Sequence, residues 1–291
     1  MDGRMTMTKR LASGTHRASA AITAAALVAL AAHADTAVLT TVDDNTLIEA
    51  PNGAFSHGAS YNFYAGRVGP NAEGTKRRGA IRFDFSSIPA GSTIQSVTLE
   101  LYCSNAGLST AFPVSLKRMT ASWGEGASFA FGGGGGSSEP GDATWLHRFY
   151  PNVLWTTPGG QFVSTVSATR SVSTPGWYTW TSTAQLVADV QGWVDVPANN
   201  FGWLVQGNET TLKSVKRFDT HESPSNTKPK LTVVFAPPAP LLGDLNGDDV
   251  VDAADLAILL GAWGGSGAAD LDASGTVDAA DLALLLGAWT A

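Results

Sequence analysis

The chain has 291 residues, 44% hydrophobic and 15% charged, enough to bury a large core and a small second one, which excludes a disordered tail or a fibrous repeat. Its net charge of −7 is unevenly spread: residues 243–291 hold nine Asp and no Lys, Arg or Glu, which leaves residues 1–242 at +2. An acidic segment that is also rich in Leu, Ala and Trp repels itself unless cations neutralise it, so it predicts a metal-dependent fold and excludes nucleic acid as a partner.

Residues 1–34 have the layout of a secretory signal: Arg4, Lys9, Arg10 and Arg17, then the apolar run 20–32, then Ala32-His33-Ala34 as a small-x-small cleavage site before Asp35. The alternative is a membrane anchor, but thirteen mostly small residues fall short of the about 20 that span a bilayer. An exported, extracellular protein is expected, with no transmembrane segment in the mature chain. The single cysteine, Cys103, excludes an intramolecular disulfide. Alternation over 97–103 places its thiol among Val and Leu side chains on the inner face of a strand, where it is inert.

From 36 to 236, short alternating runs separated by Gly, Pro, Asn and Ser predict a mainly β domain over 35–236, an antiparallel, jelly-roll-like β-sandwich. The clearest strands are 80–85, 97–103, 112–116, 177–180, 201–205 and 231–235. Leu186, Val190 and Trp193 recur at i, i+4 and i+7 and predict one short helix packed on the sheet. The five glycines 132–136 predict a mobile loop and not a phosphate cradle, because no Gly-Lys-Ser/Thr follows them. Residues 237–242, which begin Pro237-Pro238-Ala239-Pro240, predict a stiff linker to a separate module at 243–291.

That module contains two loops with EF-hand ligand spacing. In the first, oxygen-bearing side chains fall at loop positions 1, 3, 5, 9 and 12: Asp244, Asn246, Asp248, Asp252 and Asp255, with the Val250 carbonyl at position 7. The second, 26 residues on, offers Asp270, Asp272, Ser274, the Thr276 carbonyl, Asp278 and Asp281. A cation the size of calcium takes six to eight oxygens, and alternate residues of a tight loop can all turn inward to supply them. Two calcium ions are therefore the expected cofactors. Gly275 provides the sharp turn at position 6 of the second loop, where the first loop has Asp249, so the two sites are expected to differ in affinity. After each loop, apolar residues recur at helical spacing: Leu256, Leu259, Leu260 and Trp263, then Leu282, Leu285, Leu286 and Trp289. Duplication this close predicts two short helices packed about a pseudo-twofold axis, each dependent on the other and on the metals.

These motifs over 243–291 resemble the type I dockerin family. The resemblance implies calcium-dependent folding and docking onto a cohesin-like protein, with the residues before position 12, Ala253-Ala254 and Ala279-Ala280, helping to select the partner. The larger domain resembles the DNRLRE family of extracellular β-sandwiches, which includes carbohydrate-binding modules and disaggregatase-related repeats. The likeness lies in Arg78-Gly79-Ala80-Ile81-Arg82-Phe83-Asp84 with 94–101, in Trp123-Gly124-Glu125-Gly126 with Thr144-Trp145 and 155–160, and in Asn200-Phe201-Gly202-Trp203 with 216–222 and 229–233. It implies a polysaccharide ligand.

Aromatic rings stack on the apolar faces of sugars while nearby polar groups fix orientation. Trp145, His147, Tyr150 and Trp155 form the densest aromatic stretch outside a clear strand and are the candidate carbohydrate-binding residues. The expected function is non-catalytic polysaccharide binding, tethered through the C-terminal module. The alternatives are a structural or adhesive surface protein, or a polysaccharide-degrading enzyme. A hydrolase needs two opposed carboxyl groups about 5–10 Å apart; Glu125, Glu209, Asp219 and Glu222 could supply them, but no local motif pairs them. Alternation about Phe218 predicts Arg217 and Asp219 together on a solvated strand face.

Overall fold

The computed structural model describes residues 34–290, so the predicted signal segment lies outside the described residues except for Ala34. Among the described residues no helix is long and apolar enough to cross a membrane.

The fold is mainly antiparallel β. Its strands are β1 (Asp35–Leu39), β2 (Thr41–Ile48), β3 (Phe55–Ser56), β4 (Asn62–Arg67), β5 (Lys76–Phe83), β6 (Thr93–Ala106), β7 (Phe112–Arg118) and β8 (Gly136–Ser137), followed by β9 (His147–Phe149), β10 (Val153–Leu154), β11 (Ala168–Val172), β12 (Gly176–Trp180), β13 (Trp203–Gln206), β14 (Lys216–Asp219) and β15 (Lys230–Ala236). The helices are α1 (Ala184–Asp195), α2 (Ala253–Gly261) and α3 (Ala279–Gly287). Eleven strands form one curled sheet whose path runs β1-β15-β6-β14-β4-β5-β13-β7-β11, with β12 added to β6 and β2 to β5.

The curl turns on β4. Its residues 62–65 pair with β14, while Gly66 and Arg67 pair with Arg77 and Lys76 of β5. Gly66 has φ 124 and lies so close to Val215 that a Cβ would meet its Cα at 2.8 Å, so the strand changes partner where only glycine fits. The alternation read from the sequence then acts on both halves. Phe63, Ile81, Phe83, Val97, Leu99, Leu101, Trp180, Trp203, Val205, Phe218, Leu231 and Val233 converge in one core. Cys103 is buried in it, and burial pushes its thiol above the usual range. The predicted helix is α1: Leu186, Val190 and Trp193 enter the core, and Thr183 caps its first turn by accepting the Leu186 N–H at 3.0 Å.

The half built from β2, β5, β13 and β7 is covered on its other face as well. The long connection from 119 to 167 folds back over it, and Met119, Trp123, Ala143, Trp145 and Trp155 form a second core with Leu47, Ala80 and Leu204. A strand covered on both faces needs internal partners for its polar groups, and β2 carries three fully buried polar residues in a row, Asp44, Asn45 and Thr46. Asn45 Oδ1 accepts from Thr46 N at 2.6 Å, Ser56 Oγ at 3.0 Å and His57 N at 3.0 Å. Its Nδ2 donates to the Glu125 carbonyl at 2.6 Å and the Ala143 carbonyl at 3.3 Å. One amide therefore fastens the covering layer to the sheet.

Two expectations are corrected. The glycine run 132–136 is a fastened turn and not a mobile loop: the Gly132 carbonyl accepts from His57 Nε2 and the Gly133 carbonyl from Arg77 Nε, each at 2.8 Å. Asp219 is buried and not solvated, since its carboxylate accepts from Asn62 Nδ2 at 2.7 Å and from the Thr227 hydroxyl. Lys216 on the same strand is fully buried too, its ammonium donating to the carbonyls of Leu108, Thr110 and Ser173, so its three donors are satisfied.

Within residues 243–290, Val251, Leu259, Ala269, Val277 and Leu285 form a core cluster of their own. Asn45→Ala is expected to lower the stability of the β domain by at least about 3 kcal/mol, because it strands several buried donors and acceptors at once. Urea unfolding followed by tryptophan fluorescence measures it, and a loss under about 1 kcal/mol would remove Asn45 as the fastening point.

Candidate functional site

The two acidic loops fold alike. Asp244, Asp248 and Asp255 bring carboxylate oxygens within 4.8 Å of one another, and so do Asp270, Asp272 and Asp281. Asp255 is buried, with Oδ1 accepting from Leu245 N and Asn246 N at 2.8 and 3.1 Å and Oδ2 accepting from Asp252 N at 2.9 Å. Asp281 repeats the set with Leu271 N, Asp272 N and Asp278 N. These N–H groups, that of Asp252 or Asp278 first, hold both carboxyls below the usual carboxylate range, so both are ionised at neutral pH.

The other predicted ligands line the same loops. Asn246 Oδ1 accepts from Asp248 N, its Nδ2 donates to Asp248 Oδ2, and Ser274 Oγ donates to the Thr276 carbonyl. Val250 donates its N–H to Asp248 Oδ1. Asp252 and Asp278 are helix N-caps, accepting from Ala254 N and Ala280 N at 2.7 Å inside complete capping boxes. The helices thus start at the last acidic residues of each loop.

The pseudo-twofold relation is visible in the backbone. Gly264 N donates to the Val277 carbonyl at 2.9 Å, and 26 residues on, Thr290 N donates to the Val251 carbonyl at 3.1 Å. Val277 N completes its pair on the Gly265 carbonyl at 2.8 Å; Val251 N uses the Thr290 hydroxyl instead, also at 2.8 Å. The segment after each helix closes onto the loop of the other repeat. Of the apolar residues read as one helical face, Leu256, Leu259, Leu282 and Leu285 join the core, whereas Leu260, Trp263, Leu286 and Trp289 are exposed together with Ile258 and Leu284. The apolar stripe is wider than the seam between two nine-residue helices.

The aromatic candidates lie elsewhere than expected. Trp145 and Trp155 belong to the second core, with Trp155 Nε1 donating to the Thr144 carbonyl at 2.9 Å and the Arg78 guanidinium 4.7 Å over the Trp145 ring. His147 is buried as well, against Thr144 and edge-on to Tyr150, which is half-buried. Burial keeps three of the four from offering an open ring face, because the connection that carries them is a covering layer. An open aromatic face occurs instead on the outer side of β6 and β12, where Trp177 is 48% exposed and meets Tyr102 edge-on. A cavity of about 550 Å³ beside it is lined by Glu100, Trp177, Asn226, Lys228 and Lys230. The alternation of 177–180 holds this signal, since it sends Trp180 inward and Trp177 outward.

Of the four carboxylates weighed for hydrolysis, Glu209 is engaged with Arg78 at 2.6 and 3.0 Å, and Asp219 is buried as described. Glu125 and Glu222 converge with a third carboxylate, Asp44, and with His221. Asp44 Oδ2 accepts from Thr41 Oγ1 at 2.9 Å, His221 N at 3.1 Å and His221 Nδ1 at 3.0 Å. Glu125 Oε1 accepts the Asp44 N–H at 2.6 Å and lies 3.8 Å from His221 Nδ1, while Glu222 Oε1 lies 3.0 Å from His221 Nε2. The hydrogen bond to Asp44 raises the His221 pKa to about 9. Burial raises those of Glu125 and Glu222, and neighbouring carboxylates add to the effect.

No protein-family profile matches the chain, and no curated protein aligns with it.

Two outcomes follow, the first for the ion-free chain and the second with calcium added in excess. The raised carboxyl and imidazole groups make the folded β domain hold more protons than the unfolded chain between about pH 6.5 and 9, above the range where buried His57, lowered to about 4, acts in the opposite sense, so its stability falls as pH rises through that window. Urea midpoints measured at several pH values test the sign, and a midpoint that climbs from about pH 6.5 to 9 refutes it. In the C-terminal unit, Ala273 sits at φ 58 where the first repeat has Gly247 at φ 78. Ala273→Gly should stabilise that unit by about 1 kcal/mol, read as a higher melting temperature.

Proposed function

We propose that the protein is exported and non-catalytic, binds polysaccharide through its β domain, and is tethered to a surface or complex by a calcium-dependent, dockerin-type module over 243–291. The observation that carries the reading is the duplicated loop–helix unit. Two loops each gather three carboxylates, and each is followed by a helix of nine residues, too short to persist alone in water. A divalent ion in each loop offsets the repulsion that an all-acidic segment otherwise carries. Asp244, Asn246, Asp248, Asp255 and the Val250 carbonyl would hold one ion, and Asp270, Asp272, Ser274, Asp281 and the Thr276 carbonyl the other.

The exposed stripe of Ile258, Leu260, Trp263, Leu284, Leu286 and Trp289 supports docking onto a cohesin-like protein, since apolar side chains repeated on two adjacent helices gain by being covered. For the β domain, the curled sheet is read as a jelly-roll-like sandwich of the DNRLRE type. The face bearing Trp177 and Tyr102, rimmed by Glu100, Asn226, Lys228 and Lys230, suits a sugar chain: ring faces for stacking, charged and amide groups for hydroxyls.

Titration with calcium should show two ions bound, and chelation should remove the helical signal of α2 and α3 while the near-ultraviolet signal of the buried β-domain tryptophans persists. Helices that survive chelation would sink the calcium-dependent half. Incubation with insoluble and gel-embedded polysaccharides should deplete the protein from solution, with Trp177→Ala weakening binding at least about tenfold. If no glycan depletes it, the adhesive reading takes over, which the exposed cluster of Tyr61, Phe129 and Phe131, the last 79% exposed, favours as a protein contact.

A further inference from the structure

The cluster of Asp44, Glu125, His221 and Glu222 is built from three distant stretches of chain, and each residue offers a ligand atom within 4.8 Å of the others. Among the described residues His221 is the one basic side chain paired with these carboxylates. A single imidazole thus stands against three acids. It leaves two oxygens unanswered: Asp44 Oδ1 and Glu222 Oε2 are both buried and have no hydrogen-bond donor. Asp44 is fully buried, so water does not reach its carboxylate from outside. A buried, ionised oxygen without a donor is costly and calls for a positive partner.

We propose that these four residues bind one first-row divalent transition ion of the zinc class, a third metal site that is independent of the two C-terminal loops. The donor set decides the class. Calcium takes six to eight oxygens, whereas this cluster places an imidazole nitrogen at its centre beside three carboxylates, a mixed set that suits zinc and its neighbours. A divalent ion with neutral His221 lowers the charge of the three carboxylates from −3 to −1. Donors around a four-coordinate ion of this class lie about 3.4 Å apart, so a cluster whose ligand atoms lie up to 4.8 Å apart has to close by up to about 1.4 Å. Glu222, which is partly exposed, and the Glu125 oxygen that the Asp44 N–H does not hold make that move, and the partly exposed His221 leaves an entrance for the ion.

The supporting shell is already present. Thr41 Oγ1 and the His221 N–H fix Asp44 Oδ2, and the Asp44 N–H fixes Glu125 Oε1. Each imidazole nitrogen has a carboxylate at 3.0 Å, so whichever nitrogen ligates, the carboxylate on the other is the outer partner that orients a metal-bound histidine, and the remaining three residues are the direct ligands. The Glu125 backbone is itself held in place: a Cβ on Gly58 would meet the Glu125 carbonyl oxygen at 2.1 Å, so glycine is required there for the loop to seat.

The test is calorimetric titration of the full-length, tag-free chain with zinc in saturating calcium, which fills the C-terminal loops. One further ion should bind, and His221→Ala and Glu222→Gln should each weaken it at least about 100-fold. Cobalt in place of zinc should give the visible absorption of a mixed nitrogen–oxygen site in the unmutated protein, which decides the matter even where a variant does not fold. Absence of a further ion and of the cobalt absorption overturns the proposal and leaves a metal-free ion-pair cluster. So does zinc that additional calcium displaces, or zinc binding that both folded variants retain.

Discussion

The β domain hangs on one carboxamide. Asn45 lies in a strand covered on both faces, so neither end of its side chain reaches water, and it makes five hydrogen bonds within the protein. Through them the sheet holds the 56–57 segment, the loop at Glu125 and the turn at Ala143. Losing that fastening removes the side chain that bonds to the Glu125 loop, the Ala143 turn and the 56–57 segment at once. The neighbouring Asp44 inherits its surroundings from the same arrangement, since the loop that Asn45 seats delivers Glu125 to it.

Alternation made most of the architecture readable. Strands β5, β6, β7, β12, β13 and β15 and helix α1 lie where apolar periodicity put them, because each has one face toward the common core. The loops at 244–255 and 270–281 were equally legible, as all their candidate ligands are local in sequence. The histidine–carboxylate cluster was not. Its members stand at 44, 125 and 221–222, with no local motif that pairs the three stretches, and only the fold brings them together.

The misread aromatic residues have a physical explanation. Trp145 and Trp155 sit in a stretch almost without regular strands, which from sequence suggests a surface loop. A two-sided sheet needs material for its second face, and a long connection rich in tryptophan supplies it. Density of aromatic residues therefore reported a third layer, while the exposed ring, Trp177, was concealed in an ordinary alternating strand. Asp219 was misjudged for a related reason: charge in a strand suggests solvent, but its carboxylate is enclosed with hydrogen-bond donors, as the Lys216 ammonium on the same strand is with acceptors.

The exchanged closure of the C-terminal repeats bears on how that segment would respond to ions, if its loops bind them as proposed. Because residues after the first helix bond to the second loop and Thr290 bonds to the first, ordering either loop fixes one end of the other repeat. The conformational entropy lost when the first ion binds need not be lost again for the second. Two sites of unequal intrinsic strength would then fill over a narrow range of ion concentration, and the unit would behave as a switch between two states and not as a pair of separate sensors.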